Sequence, residues 1–447
     1  IINVAPTSPG NESIGMYGDD PETKVYMLEF ENGSRIVRDS IINIGQSSYG
    51  IFARNIEMNG GTINVGNDGV GIYSQGPDVD LTGGKIVVAN NNAVGIYIDD
   101  ATVAPKPTVV KGNVDMKVGT DSVGYLITAS NTKTDIKTKA PNDVHIGENS
   151  VYIYSKAPQS LGGKIINHSN IVMDKNNGYG IYSSQDSENY GDINLTSGVG
   201  NIGVYSTQGM GRNHGTITVG PSNVTNKEYG IGMATGYYDE ATKAELNIGT
   251  IENVGTINVS DDNSVGMYAV GTGSKAINRG TINLSGNNTT GMYIDRHAIG
   301  ENYGTIQTTP TANGKGIKGV VVTNGGVIKN YGTIEIKGSG NTGIYLAKGK
   351  NEGATPTATN GAVAVQTKKQ SDTTKKVAGI EIKAKPGDPV TVTRQGNPVT
   401  PTFVNTTVAL PTASRVTVGA TELDLTSSKL GDIPSVGMAS EIGMYVD

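Results

Sequence analysis

Apolar and polar residues alternate with a period of two in short segments that recur along the chain. In Asn253–Tyr268, Ile257 and Val259 would point to one side of the backbone, with polar residues between them on the other. This is the pattern of a half-buried β-strand. Asn278–Tyr293 repeats the same segment almost residue for residue. A repeat of roughly 25 residues is typical of solenoid proteins.

Each repeat combines two short motifs. The first is Asn-x-Gly-Thr-Ile-Asn-Val, and its Gly-x-Ile part recurs at Gly61, Gly84, Gly191, Gly215, Gly255, Gly280, Gly304 and Gly332. The second is Gly-[Ile/Met/Val]-Tyr, which places tyrosine at Tyr17, Tyr73, Tyr97, Tyr182, Tyr205, Tyr268, Tyr293, Tyr345 and Tyr445. We expect the Asn and Gly of the first motif at a corner, because both tolerate the left-handed conformation.

Two short strands with tight corners cannot bury an apolar face alone, so each repeat must stack on its copies. Stacking places every strand parallel to its equivalent in the next turn. The sequence therefore predicts an all-β fold, a parallel β-helix of roughly 15 coils with loop and hairpin insertions.

Departures from the repeat predict how the chain is divided. Residues 1–346 should form β-helix, with degenerate coils at 101–175 and an outgrowth at 236–247. Residues 347–412 lose the periodicity and contain several prolines, which predicts an extended loop and an inserted hairpin. The β-helix should resume at 413–447.

Composition narrows the function classes. The chain has no Cys and no Trp, only 3 Phe, and 63 Gly in 447 residues, so disulfides and thiolate metal sites are excluded. The net charge of −6, without a Lys/Arg cluster, argues against nucleic acid as a partner. The sequence contains no apolar run of about 20 residues, which is the length that a membrane-spanning helix needs. Neither end carries a polar cap, and we expect a segment of a longer chain.

Candidate chemistry is sparse. The four histidines share no ligand spacing and are expected at surfaces or corners: His145, His168, His214 and His297. The pairs Asp78/Asp80 and Asp261/Asp262 are the type of group that polysaccharide hydrolases use, but carboxylates between strands are also common turn formers. We expect no catalytic residue, metal or cofactor.

Two kinds of position stand out for structure and binding. The repeated tyrosines should form an outward ladder, serving either cross-coil stacking or an aromatic platform for sugars or proteins. Structural ladder positions are Asn253, Gly255, Asn278, Gly280, Tyr268, Tyr293 and Tyr345. Loops on a rigid scaffold are the usual place for binding. The candidates for contact are Tyr237, Tyr238, Asp239, Arg296 and His297.

The Asn-x-Gly-Thr-Ile-Asn-Val and Ser-x-Gly-[Ile/Met]-Tyr motifs resemble passenger domains of type V autotransporter adhesins. They look most like the large fusobacterial outer-membrane adhesins, the RadD-like group and its galactose-sensitive lectin-type relative. The resemblance covers most of 1–346 and the final turn, and 347–435 departs from it.

This resemblance implies a right-handed β-helix on the bacterial cell surface, secreted through and anchored to the outer membrane by a C-terminal β-barrel outside this segment. It implies attachment to host cells, to host receptors or glycans, and to other bacteria, hence coaggregation and virulence. No binding motif of the family maps onto particular residues here.

Two other functions stay open. A plain stalk that presents a distal binding head would have nearly the same sequence, although a spacer needs no outgrowths at 236–247 and 347–412. A polysaccharide-degrading enzyme on the same fold would need a cluster of acidic or basic residues on one strand face, and the sequence suggests none.

Overall fold

The computed structural model is all-β, a parallel β-solenoid, as the period predicts. It describes residues 1–5, 13–18, 24–27, 29–31, 34–36, 40–100, 106–226, 228–239, 241–338, 341–347 and 349–352, and the strands 366–367, 379–383, 391–395, 402–408, 417–418, 421–422, 428–435 and 442–446. The chain divides into two compact units, 1–215 with 409–428 and 216–408 with 429–447.

Each turn contributes to three lines of parallel strands. Line 1 precedes the Asn corner, line 2 is the Gly-Thr-Ile-Asn-Val strand, and line 3 is the Gly-Ile-Tyr strand. Equivalent residues pair in register from turn to turn, as Ile257 does with Ile282. The register brings each side-chain type of the repeat into a column, which is the basis of all further packing.

In the first unit, line 3 has eight strands. They are Ile14–Gly18, Tyr49–Ala53, Val70–Ser74, Val94–Ile98, Val123–Ile127, Val151–Ser155, Tyr179–Ser183 and Ile202–Ser206. Line 1 consists of Lys24–Met27, Thr108–Gly112, Thr134–Thr138, Lys164–Asn167, Asp186–Asn189 and Met210–Asn213. Line 2 consists of Ile2–Val4, Ile41–Ile44, Asp115–Val118, Val144–Ile146, Ile171–Met173 and Ile193–Asn194. Two long strands run through lines 1 and 2, Asn55–Val65 and Asp78–Val88.

In the second unit, line 3 begins with five strands. They are Ile231–Thr235, Val265–Val270, Thr290–Asp295, Lys318–Thr323 and Thr342–Ala347. Line 1 consists of Thr250–Asn253, Lys275–Asn278, Ile299–Asn302, Val327–Asn330 and Lys350–Asn351. Line 2 consists of Thr216–Val219, Thr256–Val259, Thr281–Leu284, Thr305–Thr308 and Thr333–Glu335. The described turns are slightly fewer than the predicted number.

A few elements lie outside the three lines. They are the 3₁₀ turn Gln159–Leu161, the antiparallel pairs Glu29–Glu31/Ser34–Ile36 and Tyr237–Tyr238/Glu245–Leu246, and the strands Gln366–Thr367, Gly379–Lys383, Thr391–Gln395, Thr402–Val408, Thr417–Val418, Thr421–Glu422 and Ser428–Ser435. Most of the loop and hairpin predicted at 347–412 lies outside the described residues. Within it, Gly379–Lys383 pairs antiparallel with Thr391–Gln395. Further on, Ile442–Val446 pairs parallel with Thr342–Ala347.

The core is a set of aliphatic columns. Ile257, Ile282 and Ile306 are fully buried on line 2, and Met267 and Met292 are fully buried on line 3. Burying one such side chain contributes about 1.5–3 kcal/mol. In the described residues, no helix is long and apolar enough to cross a membrane.

The corner asparagines have a different role from the one predicted. Asn253 and Asn278 are fully buried, and neither has a left-handed backbone. Instead, Nδ2 of Asn253 donates to Oδ1 of Asn278 at 3.0 Å, and Asn278 donates to Asn302 at 2.8 Å. A buried amide needs such partners. The corner therefore selects Asn because its amide bonds to its copy in the next turn.

The corner glycine is also selected by stacking. Neither Gly255 nor Gly280 has a positive φ. A Cβ placed on Gly280 would collide with the carbonyl oxygen of Gly255, and one on Gly304 would collide with that of Gly280. Close approach of neighbouring turns, and not backbone conformation, explains these glycines.

Candidate functional site

The outgrowth of the second unit is an ordered hairpin. Tyr237 pairs with Leu246 and Tyr238 with Glu245 in antiparallel register. Gly236 enters it with φ of 84°, and a Cβ there would collide with the carbonyl oxygen of Val270. Glu245 accepts a hydrogen bond from the backbone N–H of Thr272 at 2.8 Å. These contacts fix the base of the hairpin to the end of a line 3 strand.

Asp239 closes the tip of this hairpin. Its carboxylate accepts the backbone N–H of Ala241 at 2.9 Å and the hydroxyl of Thr242 at 2.7 Å. Its own N–H donates to the carbonyl of Ala244 at 2.9 Å. Short polar side chains commonly close turns in this way. Asp239, predicted as a contact residue, therefore has a local structural role.

Two separately predicted candidates come together. The guanidinium carbon of Arg296 lies 3.7 Å from the centre of the Tyr238 ring, a cation–π contact. Arg296 and His297 both have left-handed backbones, with φ of 47° and 64°. Non-glycine residues adopt this conformation at a cost of about 1–3 kcal/mol. The turn thus holds Arg296 over the hairpin.

A buried carboxylate, which the repeat pattern does not predict, lies beside this contact. Asp295 is fully buried, and its Oδ1 accepts from Thr323 at 2.7 Å and from Asn324 at 2.8 Å. Nε of Arg296 lies 3.6 Å from its Oδ2. Burial raises the pKa of Asp295, and these hydrogen bonds and Arg296 counteract the rise. Asp295 orients the turn from which Arg296 projects.

The remaining candidates lie around the same contact. The His297 side chain is exposed, with its ring against the backbone of Gly325. Tyr237 is half-buried, and its pKa is raised first by burial and then by Asp239. The surface defined by Tyr237, Tyr238, Arg296 and His297 is called the hairpin site below. It offers two rings, one guanidinium and one imidazole, which suits recognition more than bond-breaking chemistry.

The tyrosine ladder is in register but is mostly not exposed. Tyr268 and Tyr293 are register partners, and their rings stack with centres 5.4 Å apart. Tyr17 is 61% exposed, whereas Tyr73 is 4% exposed and Tyr97 is buried. The prediction that the row from Tyr73 to Tyr345 faces outward is therefore wrong, because all of its tyrosines are buried. The tyrosines of this row pack through ring stacking and through hydrogen bonds of their hydroxyl groups. For example, the Tyr73 hydroxyl donates to the carboxylate of Asp99 at 3.0 Å.

A row of aromatic rings, three of them exposed tyrosines, lies instead at the residue that follows the corner asparagine. In the first unit, Tyr190 stacks between His168 and His214, with ring centres 4.9 and 4.4 Å apart. In the second unit, Tyr303 stacks on Tyr331 with ring centres 5.0 Å apart. Arg279 occupies the same position of its repeat, and its guanidinium lies over the Tyr303 ring. The residues at this position are called the corner row below. The variable residue x of the Asn-x-Gly motif could have predicted this row from the sequence. It recurs once per turn, on the outer side of a corner.

The paired carboxylates have local partners. Asp80 forms an ion pair with Lys111 at 2.9 Å, and Asp262 accepts hydrogen bonds from Asn287. Burial, followed by repulsion from Asp262, raises the pKa of Asp261. These contacts fit the turn-forming interpretation of Asp261 and Asp262. For Asp78 and Asp80 the expectation of a position between strands is wrong, because both lie within the strand Asp78–Val88.

A coiled stack of parallel strands around an apolar core, with an outgrowth between turns, defines a parallel β-solenoid. The chain matches the family model described as BigA third pectate lyase-like domain over residues 59–305, which is more than half its length, and it belongs to that family. No curated protein and no solved structure matches the chain significantly. The family and the fold fit a passenger or adhesin domain of a bacterial surface protein.

Proposed function

We propose that this chain is a surface-exposed adhesin passenger segment, which attaches its bacterium to host cells, host receptors or glycans, and other bacteria. Membership of the BigA-type family and the solenoid fold support this proposal. The observation that carries it is the hairpin site. A plain spacer has no need for an outgrowth whose Tyr238 ring is held under Arg296 at 3.7 Å.

The chemistry of the hairpin site suits surface recognition. Tyrosine and arginine are enriched among residues that dominate binding energy. Holding Arg296 by the Tyr238 ring and near Asp295 reduces the entropy lost when a partner binds. We place the first contact with the host ligand here, on a rigid scaffold that tolerates variation in its loops.

The test is binding of the purified chain to epithelial cells and to a glycan array, with free galactose and free arginine as competitors. We expect saturable binding to cells that one of the competitors or a soluble glycan reduces. A folded chain that binds neither cells nor glycans would contradict the proposal and favour the stalk, with binding assigned to a distal head.

A role without catalysis is part of the proposal. The alternative is a polysaccharide-degrading enzyme. It is worth testing because the matched family is described as pectate lyase-like. Incubation with polygalacturonate and host glycans, followed by measurement of new reducing ends or unsaturated products, separates the two. Turnover in that assay would replace the adhesin proposal.

The closer likeness to large fusobacterial outer-membrane adhesins is supported by the corner motif at Asn253–Val259 and Asn278–Leu284. Export by type V secretion and anchoring at the outer membrane follow from that likeness. Surface labelling of intact cells with an antibody against this segment would test the location.

A further inference from the structure

Strand register in the first unit gathers lysines that are distant in sequence. Lys111 and Lys137 are register partners on neighbouring turns, which places their strands about 4.8 Å apart. Lys139 follows two residues after Lys137, at the corner. All three side chains are exposed. These residues, Lys111, Lys137 and Lys139, are called the basic corner below.

The positive charge of the basic corner is only partly compensated. Lys111 pairs with Asp80 at 2.9 Å. Among the residues that the structure describes, no carboxylate forms an ion pair with Lys137 or Lys139. Farther along the same side, Lys164 and Arg212 share one carboxylate, Glu188, at 2.8 and 3.4 Å. Two exposed ammonium groups are therefore left for an anionic partner, on a chain whose net charge is −6.

The corner row of rings continues from the basic corner. His168 follows Lys139 in this row, because the backbone N–H of His168 bonds to the carbonyl of Thr138 at 2.8 Å. Burial lowers the pKa of His168, and the positive charges of Lys137 and Lys139 lower it further. The two ammonium groups therefore act electrostatically on the His168 ring. Tyr190 and His214 complete the row, with the last two rings inclined by only 2°. The result is a strip that runs from the ammonium groups of the basic corner to the rings of His168, Tyr190 and His214.

We propose that this strip binds an extended sulfated polysaccharide of the host cell surface. Sulfate groups accept hydrogen bonds from lysine ammonium groups, and the basic corner presents three of them on two neighbouring turns. The proposal rests on the attachment function proposed above and names the class of glycan. It adds a second contact, formed by residues of the first unit that are not part of the hairpin site.

The same geometry disfavours nucleic acid. Proteins that bind single strands offer open aromatic faces on which bases stack. Here both faces of the Tyr190 ring are covered, by His168 and by His214. Duplex binding requires a broad basic footprint, and the basic corner has only three lysines.

The test is fluorescence anisotropy of labelled heparin with the 447-residue chain, at low and high salt. We expect saturable binding that weakens with salt, because screening acts on exposed charges. Chemically desulfated heparin should not bind. Lys137→Glu/Lys139→Glu should lower the affinity at least about tenfold, equivalent to about 1.4 kcal/mol. The matched control, Lys315→Glu/Lys337→Glu in the second unit, makes the same charge change and should bind as the unaltered chain does.

An independent readout is the NMR titration of His168. Bound sulfates offset Lys137 and Lys139, so heparin should raise the pKa of His168. Failure of heparin to bind, an equal loss in the control variant, or equal competition by single-stranded DNA would overturn the proposal. If heparin fails while epithelial cells still bind, attachment stands without this site. Heparin binding without cell binding would retain the site and reject the attachment function.

Discussion

At the residue scale, stacking decides which side chain occupies a position. Asn278 is present because its amide bonds to its copies, and Gly280 because a Cβ would meet the preceding turn. Lys318 is an exception, since its ammonium is buried on line 3 and donates to the carbonyl of Gly316 at 2.9 Å. Burying a charge without an opposite charge is costly.

Lys318 therefore predicts a dependence of stability on pH. Burial lowers the pKa of Lys318 from 10.5 to about 8. Below about pH 8 both folded and unfolded chains carry the charge, and the full cost of burial is present. Between the two pKa values the folded state loses its proton first, so stability should rise with pH.

Lys318→Met should remove this cost. We expect the free energy of unfolding at pH 7 to rise by about 3 kcal/mol and the gain over the unaltered chain to shrink at pH 10. Urea unfolding of both chains at the two pH values measures this difference. A gain that is the same at both pH values would show that packing, and not the charge, is responsible.

At the element scale, the hairpin is attached to the solenoid but contributes little to its core. Its strands have two residues each, and Leu246 is 47% exposed. Its anchoring depends on Gly236, on Glu245 and on the contact between Tyr238 and Arg296. Such an element can be altered without loss of the aliphatic columns.

Replacing Tyr237–Leu246 by two glycines should leave the β-sheet circular dichroism spectrum and the unfolding midpoint nearly unchanged. If the hairpin site is the contact, binding to epithelial cells should fall at least about tenfold. Arg296→Ala should give a smaller loss in the same direction, with Lys315→Ala as the surface control. Undiminished binding by the deletion variant would exclude the hairpin site.

At the scale of the whole molecule, stability is distributed over turns that each contact their neighbours within a unit. The columns of Ile, Met, Asn and Gly repeat this interaction between neighbouring turns, as at Ile257, Ile282 and Ile306. A repeat protein of this kind has no single central core, and damage to one turn affects the adjoining turns first.

Asn278→Leu should make that propagation visible. The substitution removes the side-chain acceptor Oδ1 that the amide of Asn253 uses and the amide that donates to Oδ1 of Asn302, at a cost of about 1–3 kcal/mol for each buried group. Hydrogen exchange should accelerate at Thr256–Val259 and Thr305–Thr308. Exchange at Asp115–Val118, in the first unit, should be unchanged. Equal acceleration there would indicate one cooperative unfolding unit.

The sequence was sufficient for the fold class, because the period of two and the repeated corner leave few other ways to bury Ile257 and its equivalents. It was insufficient for the reasons behind individual residues. The buried amide of Asn253 depends on a neighbour 25 residues away. The contact of Arg296 with Tyr238 depends on how the hairpin folds back, and the basic corner on register between strands. None of these is visible within one repeat.

The asparagine column gives each unit a polarity. In every bond described, from Asn167 to Asn189 and from Asn253 through Asn278 to Asn302 and Asn330, the amide of the earlier turn is the donor. The amide dipoles therefore add along the axis. A deamidated Asn278 could still accept from Asn253 but could no longer donate to Asn302. Chemical ageing of one asparagine would weaken the stack on its C-terminal side only.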